Sequence, residues 1–274
     1  MDKKEVYLER NRIIAEYAAS LEIEHTDWNS LPLPEGRISP GNILKRPGFD
    51  ALGFFCDEYN IPKWWRQVYN CGGTIIISLT WASAWARYFD EQKMKIQATE
   101  FLDIIDADPV CYEAWFYSKY YLDNAIFRLH SYREKLAWLL NSHAKLCFIN
   151  AQTNRRDMSF SKYCKKAANM NPELFRLLSE CFDSRETRKL MEAYRHEFVH
   201  NETPYVNFPN EPQLVPIPHG KGKRLAIPGQ QLPDFELDTL LVESRHVWKQ
   251  FVDGTYRLAN YLNDTYYSAW SKAE

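Results

Sequence analysis

Along the middle of the chain the apolar positions advance in steps of three and four. Leu122, Ala125, Ile126, Leu129, Tyr132, Leu136, Leu139, Leu140, His143 and Cys147 mark one face of a long amphipathic helix. Leu237, Leu240, Leu241, Val247, Trp248, Phe251, Leu258 and Leu262 repeat the pattern near the C-terminus, with Pro233-Asp234 as its start and Gly254 as a point of interruption. Val6, Ile13, Ile14, Tyr17 and Leu21 predict an N-terminal helix, followed by a Pro/Gly-rich connector from Leu31 to Asp50. Asp183 with Glu186 three residues later reads as a capping-box variant opening a helix whose core face includes Leu190, Met191, Tyr194 and Phe198. Pro204 disfavours helix at Thr203. Asn171-Pro172 starts a short helix through Leu178, preceded by a segment around Phe160 to Ala168. From Thr74 to Phe89, β-branched residues precede Trp81, Trp85 and Tyr88, a pattern that fits a buried helix or a strand, with helix preferred.

Turn-forming residues settle the class. No glycine occurs from Thr74 to His219. A β-rich domain needs such residues every ten or so positions and long helices do not, so an all-α bundle is expected. Residues 203–233 hold seven of the 14 prolines together with His219-Gly-Lys-Gly-Lys-Arg224, which predicts a hairpin-like insertion with a basic tip before the last long helix. The expected organisation is an N-terminal helix and connector over 1–70, packed as an appendage on a helical bundle over 71–274.

Composition narrows the functions. The chain has 274 residues, 45% hydrophobic and 15% aromatic, enough to bury a substantial core. Thirty-four basic and 36 acidic residues give a net charge of −2, so contact with nucleic acid would need a local patch. The longest uncharged run, Gln67 to Ala86, carries Asn, Gly, Ser and Thr and is too polar to read as a membrane span. The charged N-terminus MDKKEVYLER lacks the apolar stretch of a secretion signal, so a cytoplasmic protein is expected. Cys56, Cys71, Cys111, Cys147, Cys164 and Cys181 are too far apart for a Cys-x-x-Cys site and read as reduced core thiols. No cofactor is implied.

Chemistry concentrates in Tyr194-Arg195-His196-Glu197-Phe198-Val199-His200-Asn201. Arg195-x4-His200, with a polar residue after the arginine, resembles the signature of the HEPN superfamily, helical bundles of which many are metal-independent ribonucleases that act as dimers. The resemblance covers roughly Val110 to Tyr266. It implies a HEPN-like bundle, a homodimer, and an endoribonuclease with His200 as acid/base, Arg195 as phosphate contact and His196 as a supporting polar group. It further implies RNA as substrate and a toxin, abortive-infection or stress-effector setting with an antitoxin or regulatory partner. The residue types suit that chemistry. Imidazole exchanges protons near neutrality, and a planar guanidinium binds two phosphate oxygens at once. Five residues along an ideal helix set Arg195 and His200 about 140° apart, so their convergence needs a break in the helix or a second subunit.

The same residues also spell His196-Glu197-x-x-His200, in which histidines one turn apart bind zinc and the glutamate activates water. Thr203-Pro204 ends the helix within a turn, the longer metzincin extension is missing, and the spacing selects no third ligand from Glu236, Glu243, His130 and His143. A non-catalytic HEPN-like module binding a nucleotide or partner is the other alternative. The plain structural reading makes Arg195, His196 and His200 cations complementing a helix C-terminus.

Arg155, Arg156, Lys162, Lys165 and Lys166, interleaved with Phe160 and Tyr163, form a candidate nucleic-acid contact, and Lys221, Lys223 and Arg224 form another. Either run also reads as a solvated face. Trp64-Trp65-Arg66 suits a partner surface or, preferably, core packing. Glu134 beside Arg133 suits a site between helices or an exposed ion pair.

Overall fold

The computed structural model describes residues 3–31, 51–96, 109–144, 158–193, 213–216, 223–226 and 237–267. Seven α-helices and one hairpin lie within them. They are α1 (Lys3–Ser20), α2 (Ala51–Ile96), α3 (Pro109–Ala144), α4 (Phe160–Met170), α5 (Pro172–Phe182), α6 (Arg185–Arg188), β1 (Gln213–Pro216), β2 (Lys223–Ala226) and α7 (Leu237–Leu262). Wider π turns extend α6 over Lys189–Ala193 and α7 over Asn263–Tyr267.

Two long antiparallel helices form the spine. Trp64 stacks on Trp138 at 5.3 Å, Asn124 Nδ2 donates to Ser78 Oγ at 2.8 Å, and Trp81 and Trp85 meet Tyr121 and Tyr117. The ambiguous Thr74–Phe89 stretch is thus helix, within a single 46-residue element that passes position 70 without a break. Its hydroxyls bond internally: Thr74, Ser78 and Thr80 donate to the carbonyls of Asn70, Thr74 and Ile76, four residues back. Among the described residues no helix is long and apolar enough to cross a membrane.

Helix α7 completes the core. Trp248 and Phe251 close on Tyr132, whose buried hydroxyl meets Thr255 Oγ1 at 2.7 Å. Burial holds that phenol far above its ordinary pKa. The periodic positions Leu122, Leu129, Leu136, Leu140, Leu240, Phe251 and Leu258 are all buried, as the stepping predicts. Two glycines permit close packing. A Cβ on Gly72 would lie 3.2 Å from Trp248, and one on Gly254 would lie 2.5 Å from the Cβ of Cys181. Gly254 therefore marks a helix crossing, and α7 runs through it unbroken.

Helices α4 and α5 share one residue as a joint. Asn171 ends α4, accepts from Leu174 N at 3.1 Å to cap α5, and donates to Tyr261 at 2.7 Å. Pro172 occupies the first turn of α5, where a missing N–H costs nothing. The next cap differs from expectation. Ser184, not Asp183, takes the N-cap of α6, accepting from Thr187 N at 3.2 Å, because Asp183 is drawn back to Arg133.

The N-terminal segment packs on the spine. Ile14 joins Trp85, Tyr88, Phe89, Cys111 and Ala114 in a second core cluster, while Arg10 pairs with Glu113 at 2.5 Å and lies over Trp85. Residues 21–31 then run along α7. Trp248 Nε1 donates to the Glu24 carbonyl at 2.6 Å, Arg245 donates to that of Glu22 at 3.2 Å, and Asp27 N donates to the Tyr256 hydroxyl at 2.6 Å. β1 and β2 pair antiparallel, Gln213 with Ala226 and Pro216 with Lys223, as the Pro/Gly-rich insertion predicts.

Candidate functional site

Arg195, His196, Glu197 and His200 lie outside the described residues, which end at Ala193 on this side. The structure shows the machinery that leads into them. Arg133, 5% exposed, holds Asp183 through a 2.5 Å ion pair, and its guanidinium lies over the Phe160 ring at 4.7 Å. Arg188 Nε returns to the Asp183 carbonyl at 3.1 Å, and Ser184 Oγ lies 3.3 Å from Gln250 Oε1. Leu190 and Met191 then bury their side chains and Lys189 pairs with Glu243 at 3.2 Å. Three anchors from α3 and α7 thereby fix the direction of α6.

That direction is antiparallel to α7, since Ser184 lies by Gln250 and Lys189 by Glu243. The turn just before Arg195 is a π turn, Lys189–Ala193, a wider coil than the α-helix that periodicity assumes. Such turns recur at functional sites because they redirect the side chains that follow.

Around this helix the titratable groups have definite settings. Glu186 is held below its ordinary pKa, first by its own backbone N–H and then by Ser184. Cys164, near Asp183 and Arg133, is pushed up to about 12, chiefly by burial, and has no thiolate character at neutrality. Cys71, Cys111 and Cys181 are likewise free and buried, as core thiols should be, while Cys56 and Cys147 lie outside the described residues.

The other candidates disperse. His130 Nε2 lies 4.0 Å from Glu134, whose second oxygen accepts from Phe160 N at 3.2 Å, so Glu134 binds the start of α4. His143, near the far end of α3, is driven down to about 4 by burial and is neutral at pH 7. Glu243 is engaged by Lys189, and Glu236 lies outside the described residues. Among the described residues no three His, Cys, Asp or Glu side chains cluster to hold a metal.

Lys162, Lys165 and Lys166 are exposed on α4, but Phe160 and Tyr163 are buried at 1% and 0% and offer no stacking surface. That is a correction: among the described members of this candidate patch the three lysines face solvent and the two aromatics do not. Arg155, Arg156 and Lys221 lie outside the described residues, and Lys223 and Arg224 are described only as backbone of β2. Trp65 is buried and Trp64 is stacked on Trp138, which places the pair in the core.

The Arg133–Asp183 pair escaped sequence reasoning. Its signal was Arg133 standing beside Tyr132 on the apolar face of α3, where a charge requires a partner.

One comparison with known proteins is informative. The family model described as Cthe2314-like HEPN matches residues 74–210, half of the chain, and that span contains Arg195 to His200. No curated protein and no solved structure matches.

Proposed function

Because the chain belongs to the Cthe2314-like HEPN family, we propose that it is a metal-independent endoribonuclease acting as a homodimer, with Arg195 and His200 at its centre. The observation that carries the reading is the Arg195-x4-His200 motif inside the matched span, directly after a helix anchored at Asp183, Ser184 and Lys189.

The chemistry is proton transfer and charge stabilisation. His200 takes the proton of the 2′-hydroxyl or delivers one to the departing 5′-oxygen, and Arg195 binds the phosphate as negative charge builds on it. His196 orients these groups. Two copies together supply the second imidazole and guanidinium that residues about 140° apart on one helix do not converge to provide. Lys162, Lys165 and Lys166 on α4 offer backbone contact to RNA outside the cleft. In this reading the effector role and an inhibitory partner follow from the need to restrain such an activity.

Incubation with single-stranded RNA in excess EDTA tests the reading. Cleavage that survives chelation and disappears in His200→Ala supports it. Stoichiometric zinc that must be present for activity points instead to His196-Glu197-x-x-His200. An inert wild type, indistinguishable from Arg195→Ala on a panel of RNAs, points to a binding module.

A further inference from the structure

Helix α1 is held by a single stripe of side chains. Arg10, Ile14 and Tyr17 stand at i, i+4 and i+7, within about 60° of one another around the helix. Each has its own seat on α2 and α3. Ile14 enters the cluster of Trp85, Tyr88, Phe89, Cys111 and Ala114. The Arg10 guanidinium pairs with Glu113 at 2.5 Å and lies 5.2 Å from the Trp85 ring centre. The Tyr17 hydroxyl donates to Glu91, and Arg87, 3.3 Å from the same carboxylate, lies 4.1 Å from the Tyr17 ring centre. Together these seats make an aromatic groove set between two carboxylates.

The attachment is slight for a helix of 18 residues. From Lys4 to Ser20 the buried side chains are Arg10 and Ile14, Leu8 is exposed, and an isolated helix of this length is marginal in water. The segment that follows belongs to a different core. Ile23 and Leu31 pack in the main cluster, and Arg245, Trp248 and Tyr256 of α7 hold the backbone of Glu22, Glu24 and Asp27. Helix α1 can therefore lift away while residues 23–31 stay in place, an opening far smaller than global unfolding. On its outer face Arg12 pairs with Glu9 and with Glu16, spacings that support a helix without tertiary contacts.

We propose that this groove is the docking site for a helix of a partner protein, one carrying arginine, an aliphatic residue and tyrosine at i, i+4 and i+7, and that α1 fills it in cis until such a helix displaces it. Anchors at these spacings are how a groove reads a helix. Glu113 selects a cation where Arg10 stands, and the Trp85 face favours a planar guanidinium over an ammonium. Glu91 accepts from a phenol, and the seat between them takes an aliphatic side chain. The tether presents α1 at an effective concentration on the order of millimolar, which keeps the groove filled in the free protein. With so few contacts of its own, α1 yields to a helix that repeats the three anchors and adds others.

The inference goes beyond the nuclease reading and does not rest on it, since its test contains no RNA. Ile14→Asp in the full chain unseats α1 and leaves every groove residue in place. A labelled peptide of residues 1–20, standing in for the partner helix, is expected to bind Ile14→Asp roughly tenfold or more tightly than it binds wild type, whose own α1 competes. The peptide is expected to lose at least about tenfold when it carries Arg10→Ala. An alanine-based helical peptide bearing only the three anchors is expected to bind Ile14→Asp as well. Native-state amide exchange of the wild type decides the matter should Ile14→Asp misfold: α1 is expected to exchange about a hundredfold or more faster than residues 122–140 of α3. A folded Ile14→Asp that binds the peptide no better than wild type overturns the inference, as does binding indifferent to Arg10→Ala, an anchor-only peptide that fails to bind, or an α1 that exchanges only in step with the core. Self-association that Ile14→Asp abolishes would give the groove to α1 of a second copy and overturn it too.

Discussion

Gly254→Ala sets two effects of opposite sign against each other. In an exposed helix interior, alanine in place of glycine stabilises by roughly 1 kcal/mol, because glycine has more backbone freedom to lose on folding. Gly254 lies instead where α7 crosses the end of α5. An added Cβ would sit 2.5 Å from Cys181 Cβ, 2.8 Å from Phe182 Cζ and 3.1 Å from Phe182 Cε2. Cys181 Cβ is bonded directly to the α5 backbone and cannot swing aside, so the helices must separate by several tenths of an ångström. Overpacking of this kind costs about 1–3 kcal/mol, and the upper end applies where a backbone must move. Set against the propensity gain, the expected net loss is about 2 kcal/mol. Urea unfolding followed by far-ultraviolet circular dichroism measures it as a lower midpoint with an unchanged slope. An unchanged midpoint, or one raised by about 1 kcal/mol as propensity alone dictates, would refute the packing argument.

Three further outcomes follow from the same geometry. Asp183→Ala strands the buried Arg133 charge and is expected to cost about 3 kcal/mol, read as a urea midpoint shift, with Asp183→Asn losing less because an amide oxygen still accepts from the guanidinium. Trp248→Phe keeps one six-membered ring but removes the pyrrole ring that donates to the Glu24 carbonyl, so a small cavity adds to the lost hydrogen bond. The expected result is a loss of about 2 kcal/mol, together with faster amide exchange in residues 21–31. His143 has a folded pKa of about 4 against 6.5 for the free side chain, so the unfolded chain binds the extra proton first as pH falls. Its contribution is intact above pH 6.5 and is lost progressively between 6.5 and 4, by up to about 3 kcal/mol, and His143→Gln is expected to flatten that part of the stability profile.

What the sequence disclosed depended on which physics was local. Helix α3 was legible because Leu122, Leu129, Leu136 and Leu140 recur with helical period, and α5 because Asn171-Pro172 is a complete start signal. The Thr74–Phe89 segment was ambiguous because its Thr and Ser hydroxyls bond to their own helix, a local solution that hydropathy does not register. The cap of α6 was assigned one residue early. Asp183 and Ser184 are both good caps, and only the distant Arg133 decides between them. Phe160 and Tyr163 looked like stacking residues beside lysines, yet on α4 they fall on the face opposite Lys162, Lys165 and Lys166.

The proposed reaction begins with a 2′-oxygen and needs no metal, so its products carry a distinctive mark. Mapping the ends of RNA cut in excess EDTA tests the account most directly. It predicts a 2′,3′-cyclic phosphate on one fragment and a 5′-hydroxyl on the other, with no cutting where the residue at the scissile bond is 2′-deoxy, and none by His200→Ala. Fragments ending in 3′-hydroxyl and 5′-phosphate, produced only when a divalent metal is restored, would contradict it.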